Sequence, residues 1–323
     1  TITNEPTVTD FYNLLPTINA GSKFYVGNGQ TYTTLTGAGG LFEFLNNNTI
    51  GGSITAVITS NIVEPGTVSL NQLGEDGAGA GTYSITIRPD SSATASRILS
   101  GNTGNGLIRL NGADRIKITG VPDLSANNNL NLLTIRNSST AAPAVLFTNG
   151  STQCRLNNLT IESANTTSPL AVNGGVVSFA GNTGAIGNSQ DSITNCIIRN
   201  DQSLTFPSGI PAGLVSSFHS GTVLNSNNVI TGCNFLNASS VYLNVDAGSG
   251  NGWIVTNNSF YNNLPLVTAN PVVIRFNGAA ISEGHTITNN FIGGTAPLAG
   301  GSSWNNSVLA AWNCIQVAVG NNI

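Results

Sequence analysis

The sequence predicts an all-β chain coiled as a parallel β-helix, and three observations predict it: a recurring hexapeptide, a second apolar element ahead of each copy, and a surface almost without charge. The hexapeptide keeps one polar and apolar order through the second half, reading ITNCII from Ile193, ITGCNF from Ile230, VTNNSF from Val255 and ITNNFI from Ile287. LNNLTI from Leu156 is a looser copy, and VGNNI from Val319 is a truncated one. Successive copies begin roughly 25 to 37 residues apart, the period of stacked repeat arrays.

Each copy is too short and too β-branched for a helical turn and reads as strand, corner, strand. Side chains alternate along a strand, so positions one and six face inward while the Thr at position two faces out. Position three is Asn or Gly, the residues that enter left-handed backbone at least cost, as a sharp corner requires. Stacked corners place Asn195, Asn257, Asn289 and Asn321 in one column, where their amides are expected to bond along the stack as a ladder.

The second element reads LIRLNG at 107–112, AVLFTNG at 144–150, VVSFAG at 176–181, LVSSFHSG at 214–221, VVIRFNG at 272–278 and VLAAWN at 308–313. One coil therefore carries at least three short strands with Gly/Asn corners. The stretches 163–174, 201–213 and 293–306 are loops that bulge from the stack and account for the unequal periods.

The amino-terminal third starts the stack. In TGAGGLFEFLNNN, the residues Leu41, Phe42, Phe44 and Leu45 suggest a short helix with Thr36 as its N-cap, covering the open end of the first coil. The expected division is an arm over 1–22, a capping region over 23–50 and the β-helix over 51–323. SITAVITSNI (53–62) and YSITIRP (83–89) supply the first coils. The Gly-rich stretch 73–82 is a loop; a strand follows it where phosphate binding needs a helix.

Composition restricts the partners. Charged residues make up 7% of the 323 and the net charge is −4, far below the roughly 25% charged content of ordinary domains. The linear sequence has no Lys/Arg cluster, so nucleic-acid binding is not expected. No apolar run reaches the roughly 18 residues of a membrane span. Cys196 and Cys233 fall at one hexapeptide position in successive copies, where parallel side chains orient sulfurs poorly for a disulfide, so buried free thiols are expected. Cys154 and Cys314 show no partner in the sequence. A start at Thr1 without Met reads as either a processed mature protein or an excised piece, and the Asn-rich, strand-rich composition favours secretion.

FYVGNGQTYTTLTGAGGLFEFL resembles the opening of right-handed parallel β-helix proteins of the pectin-lyase-like class. LIRLNGADRIKITG and the ITNC and ITNN copies are similar to repeats of very large secreted surface proteins of Bacteroidetes-type bacteria. The resemblance runs from about residue 23 to the end, and it implies the right-handed fold. It leaves activity open, because the class holds pectate lyases, pectin methylesterases, polygalacturonases, phage tailspikes and adhesins.

Enzymes of that class carry clustered acids, whereas here the acids are dispersed. Asp191, Asp201 and Asp246 lie in different corners or loops, and Asp114 adjoins Arg115. Coiling could bring Glu162 and Asp201 to glycosidase spacing, but solvated turn acids are expected. His219 and His285 lack companions at metal-ligand spacing. Trp253, Trp304, Trp312, Tyr242 and Tyr261 could form a sugar platform, with Trp312 in the core and Trp304 the best exposed contact. No catalytic, cofactor or metal residue is expected.

The expected function is thus structural and non-enzymatic: a subunit of an extracellular filament stacked head to tail with copies of itself, with surface polysaccharide as a further partner. The unfinished coil at Asn321, Asn322 and Ile323 would be completed by Val8, Phe11, Tyr12, Leu14 and Leu15 of the next arm. The alternatives are an excised segment of a giant cell-surface adhesin, and a carbohydrate-active enzyme or polysaccharide-binding module.

Overall fold

A computed structural model describes residues 16–122, 130–180, 186–218, 223–246, 249–265, 271–277, 284–304 and 312–317. Its strands form a right-handed parallel β-helix with three long sheets. Sheet I has nine strands, from Lys23–Val26 to Thr286–Thr288; sheet II has eight, from Ile62–Val63 to Phe291–Ile292; sheet III has eight, from Leu70–Asn71 to Asn313–Val317. Each coil adds one strand to sheets I, II and III in turn, and every pairing within them is parallel.

The hexapeptide is the passage from sheet I to sheet II. Ile193 pairs in register with Ile230, Ile230 with Val255, and Val255 with Ile287. Ile118, Leu156, Ile193, Ile230 and Val255 form one inward column, and Ile135, Ile161, Ile198, Phe235 and Phe260 another. Aromatic rings stack where coils repeat them: Phe235 on Phe260 at 4.6 Å, and Phe147 on Phe179 at 4.5 Å. Burying such columns supplies the main stabilisation, about 1.5–3 kcal/mol per large side chain.

Position three adopts the left-handed backbone its residues favour, with φ of 52° at Asn158, 53° at Asn195, 57° at Asn257, 53° at Asn289 and 68° at Gly232. The side chains of Asn195, Asn257 and Asn289 are nevertheless exposed. The described amide ladder runs one residue later. Asn258 Nδ2 donates to Asn290 Oδ1 at 3.0 Å and to the Ile230 carbonyl at 3.0 Å, while its Oδ1 accepts from the Cys233 N–H at 2.9 Å. A left-handed corner residue swings its own side chain outward and turns the next one in, which displaces the ladder from the corner itself. Asn321 lies outside the described residues. Asn258→Leu should therefore cost roughly 1–3 kcal/mol through orphaned backbone groups. Asn289→Leu should cost about 1–2 kcal/mol through backbone strain alone. Equilibrium denaturation of the two variants and their double mutant checks this, with additive losses expected only if the side chains act separately.

The helix Leu41–Asn46 caps the first coil, burying Leu41, Phe42 and Leu45. Its N-cap is Gly40, with no side-chain cap bond, so Thr36 is not the cap. Thr36 is consumed by a residue far along the chain: its Oγ1 and N–H both donate to Glu64 Oε2, at 2.6 and 2.8 Å, and the Leu35 N–H donates to Glu64 Oε1 at 2.8 Å. Burial holds the Glu64 carboxyl above its ordinary range despite these bonds. Lys23–Val26, assigned above to the capping region, is the first strand of sheet I.

Thr17–Ile18 pairs with Thr49–Ile50 of the same chain, which pairs in turn with Gly74–Glu75 of the Gly-rich stretch. Cys154, Cys196 and Cys233 are buried free thiols and Cys314 is exposed. Among the described residues no helix is long and apolar enough to cross a membrane.

Candidate ligand groove

Stacking brings together cations that the linear sequence keeps apart. Lys117 and Arg155 occupy outward positions on adjacent strands of sheet I and are direct register partners, with Thr86 before them and Ser192 after. Adjacent strands lie about 4.8 Å apart, so the two cations stand one above the other, an unfavourable pairing unless an anion lies between them. Among the described residues neither forms an ion pair.

The corner leading into sheet I forms the wall of this groove. Arg115, Gln153 and Gln190 each have left-handed backbone, with φ of 55°, 57° and 61°, and stack on successive coils. Gln153 Nε2 donates to Gln190 Oε1 at 3.2 Å. Arg115 Nε donates to the Tyr83 carbonyl at 2.8 Å, and its guanidinium pairs with Glu75 and, at 4.0 Å, with Asp114. With Ser84, Thr86, Ile116, Lys117 and Arg155 these residues line an open groove of about 540 Å³. The expectation that the chain has no Lys/Arg cluster is thus corrected in space. Its signal lay in the phase of the repeat, because Lys117 and Arg155 both immediately precede position one.

Behind the groove, Asp191 is buried. Its Oδ1 accepts the Cys154 N–H at 2.8 Å, its own N–H donates to Asn228 Oδ1 at 2.9 Å, and Oδ2 has no donor. Burial drives its carboxyl well above the ordinary range, the Cys154 N–H opposes the shift, and the charge of Asp114 adds to it. Burial likewise pushes up the Cys154 thiol.

Coiling does bring Glu162 and Asp201 together, on sheet II, but as a closed ion cluster. Both are fully buried. Glu162 Oε1 accepts from Arg199 at 2.9 and 2.7 Å, Oε2 pairs with Arg136, and Asp201 Oδ1 lies 3.4 Å from Arg136 Nε. The Ser203 hydroxyl also donates to Asp201 Oδ1, at 2.6 Å, and the Ser138 hydroxyl donates to Oδ2 at 2.5 Å. No oxygen of the pair is left for a glycosidic bond or a water.

Asp246 is buried and lies 3.4 Å from Arg275. His285 is buried, its Nδ1 accepting the Trp253 N–H at 3.3 Å; His219 lies outside the described residues. The aromatic platform does not form as one surface, because Trp253, Tyr242 and Tyr261 are buried. Trp304 and Trp312 pack on each other at 4.4 Å, both half-buried, and Trp304 stacks on Tyr242 at 6.1 Å. Val8, Phe11, Tyr12, Leu14, Leu15, Asn322 and Ile323 lie outside the described residues.

No family model matches the chain, and no curated protein matches it. Among solved structures it is similar to the crystal structure of an alginate lyase from Paenibacillus sp. str. FPU-7, with a TM-score of 0.42, 15% identity, and coverage of 93% of this chain and 98% of that one. That protein is an enzyme, and the match stands against the non-enzymatic filament subunit expected above; at this distance it says nothing further of activity. The filament reading is withdrawn. The last residues of the 1–22 arm are paired to their own chain, with the Gly51 N–H donating to the Ile18 carbonyl at 2.8 Å and the Gly21 N–H to the Ser53 carbonyl at 2.8 Å.

Proposed function

We propose that the chain is a carbohydrate-active β-helix protein that takes an acidic polysaccharide across sheet I, with Lys117 and Arg155 as its anion-binding pair. The observation that carries this reading is the stacking of two cations in register without an ionic partner among the described residues. The net charge of −4 disfavours polyanions at long range, so recognition rests on this local pair and on the hydrogen-bonding amides of Gln153 and Gln190 beside it. A flexible polymer of uronate units offers carboxylates at short, regular intervals, whereas a neutral glucan leaves both cations uncompensated. Such a ligand places the protein outside the cell or on its surface, in keeping with the resemblance to secreted surface repeats.

Cleavage at this groove would run by elimination rather than hydrolysis. Hydrolysis needs two carboxyl groups ~5–10 Å apart across the bond, and the groove's neighbouring acids, Glu75 and Asp114, are both engaged by Arg115. Elimination needs a cation to neutralise the uronate carboxylate, which the Lys117 and Arg155 pair supplies, and a base for the adjacent C–H proton; the C–H electron pair forms the double bond while the glycosidic oxygen leaves and takes a proton from water.

The test is affinity electrophoresis and calorimetry on polyuronates and on a neutral glucan, with the ultraviolet absorbance of unsaturated ends followed alongside. Each charge-assisted contact is worth about 1.5–3 kcal/mol, so Lys117→Ala and Arg155→Ala should each weaken polyuronate binding roughly tenfold or more, and added salt should weaken the wild type. Equal binding of both polymers, or a double variant that binds as the wild type does, would overturn the assignment.

A further inference from the structure

The outward faces of the last four strands of sheet I lack the charge of the groove. Ser192–Thr194, Val229–Thr231, Ile254–Thr256 and Thr286–Thr288 each present two side chains outward, and none of these eight is charged. One column holds Thr194, Thr231, Thr256 and Thr288, paired in register without a slip; the other holds Ser192, Val229, Ile254 and Thr286. Ile254 is 37% exposed and Thr286 and Thr288 are exposed, so the described face is open.

The outward Thr of the hexapeptide is part of the repeat, yet the polysaccharide reading leaves it unused. Strand propensity explains a β-branched residue there. It does not explain a plane free of charge that joins hydroxyls to methyl groups. Nor is the array loose. Thr256 Oγ1 and Thr288 Oγ1 are hydrogen bonded at 3.0 Å, and Asn157 Nδ2 donates to Thr194 Oγ1 at 2.8 Å, which fixes side chains at both ends of the column. Such ordering before binding removes an entropic cost that a flexible surface would meet on contact.

We infer that this face is an ice-binding surface. Its rows repeat at about 4.8 Å across the strands and its columns at about 6.6 Å along them, two residue rises. These repeats are close to those of the oxygen lattice on a prism face of ice. Ice offers neither charge nor pocket, only a plane of oxygens at fixed intervals, so its recognition requires many weak contacts at those intervals on a rigid scaffold. Methyl groups of Thr, Val229 and Ile254 order the water above them into cages, and Thr hydroxyls anchor that water to the protein. A stack held by parallel hydrogen bonding keeps the intervals constant from coil to coil.

The test uses the whole chain. Wild-type protein should open a gap between melting and freezing temperatures on a seeded crystal, slow the recrystallisation of ice, and adsorb to a growing ice hemisphere when fluorescently labelled. Thr231→Lys and Thr256→Lys place a long charged chain on the plane and should abolish all three effects. Val63→Lys, on an exposed residue of sheet II, adds the same charge elsewhere and should retain them. The double variant Val229→Thr, Ile254→Thr completes a second hydroxyl column and should widen the gap. Circular dichroism and melting of each variant separate loss of face from loss of fold. Absence of all three effects in the wild type overturns the inference, as does a folded Thr256→Lys protein that keeps them. Polyuronate binding measured on the same variants keeps the two readings apart: it should be unchanged in Thr256→Lys, and its loss there without any ice effect in the wild type would assign the face to the sugar instead.

Discussion

Glu162→Ala should destabilise the fold by about 3–5 kcal/mol, the usual consequence of removing one member of a buried ion pair. Glu162 sits in register between Arg136 on one coil and Arg199 on the next, and it is fully buried. Its loss leaves two guanidinium groups facing each other with only Asp201, 3.4 Å from Arg136, to compensate. Glu162→Gln retains shape and one acceptor but not the charge, and should fall between. Urea denaturation followed by circular dichroism reads both. An Ala variant that unfolds with the wild type would mean that water already screens the cluster, and it would reopen Glu162 and Asp201 as candidates for chemistry. This cluster explains a misleading feature of the sequence: two acids that coiling does unite are united to hold neighbouring coils together.

The fold was legible because a parallel stack repeats its demands. Five described coils turn from sheet I to sheet II through a left-handed residue, at Asn158, Asn195, Gly232, Asn257 and Asn289, so Asn and Gly recur at position three; the first four of these bury the flanking residues, so Ile, Leu, Val and Phe recur at positions one and six. What depended on pairs distant in the chain was not legible. Thr36 precedes an apolar cluster as a cap would, yet Glu64 claims it. The sequence pattern puts an Asn ladder on the corner, whereas corner geometry puts Asn257 and Asn289 in solvent and turns Asn258 and Asn290 toward each other.

The groove failed to show for a related reason. Lys117 and Arg155 belong to different coils, and a search for runs of basic residues passes over both. Aligning KITG with RLNN in the phase of the hexapeptide would have placed them in one column, since Ile118 and Leu156 are register partners. Charge counted along the chain reports the long-range field. Charge counted down a column of the stack reports the binding surface, and here the two have opposite sign.

Asp191→Asn should stabilise the protein at neutral pH and remove a pH dependence that the wild type carries. The corner column beneath the groove otherwise uses amides: Asn228 Oδ1 accepts the Asp191 N–H, and Asn228 Nδ2 donates to the Asn188 carbonyl at 3.0 Å. Asp191 supplies the matching acceptor to Cys154 but has no N–H to give, and its Oδ2 is buried without a donor. An Asn there adds the missing donor and abolishes a charge that burial and Asp114 both oppose, for roughly 1–3 kcal/mol. The sign follows from linkage. The folded-state pKa lies above the ordinary value of 3.8, so the folded protein holds this proton more tightly than the unfolded chain does. The stabilisation from that proton is complete below pH 3.8 and is lost as pH rises from there through the raised folded value. Subtracting the wild-type stability from that of Asp191→Asn cancels the other carboxylates, and the difference should grow with pH across that interval and then level off. A difference independent of pH would mean that Asp191 titrates as an ordinary acid. Because Asp191 lies between Gln190 and Ser192 and bonds the residue before Arg155, the same variant should also hold the groove in one geometry at alkaline pH, read as polyuronate affinity that declines with pH less than it does in the wild type.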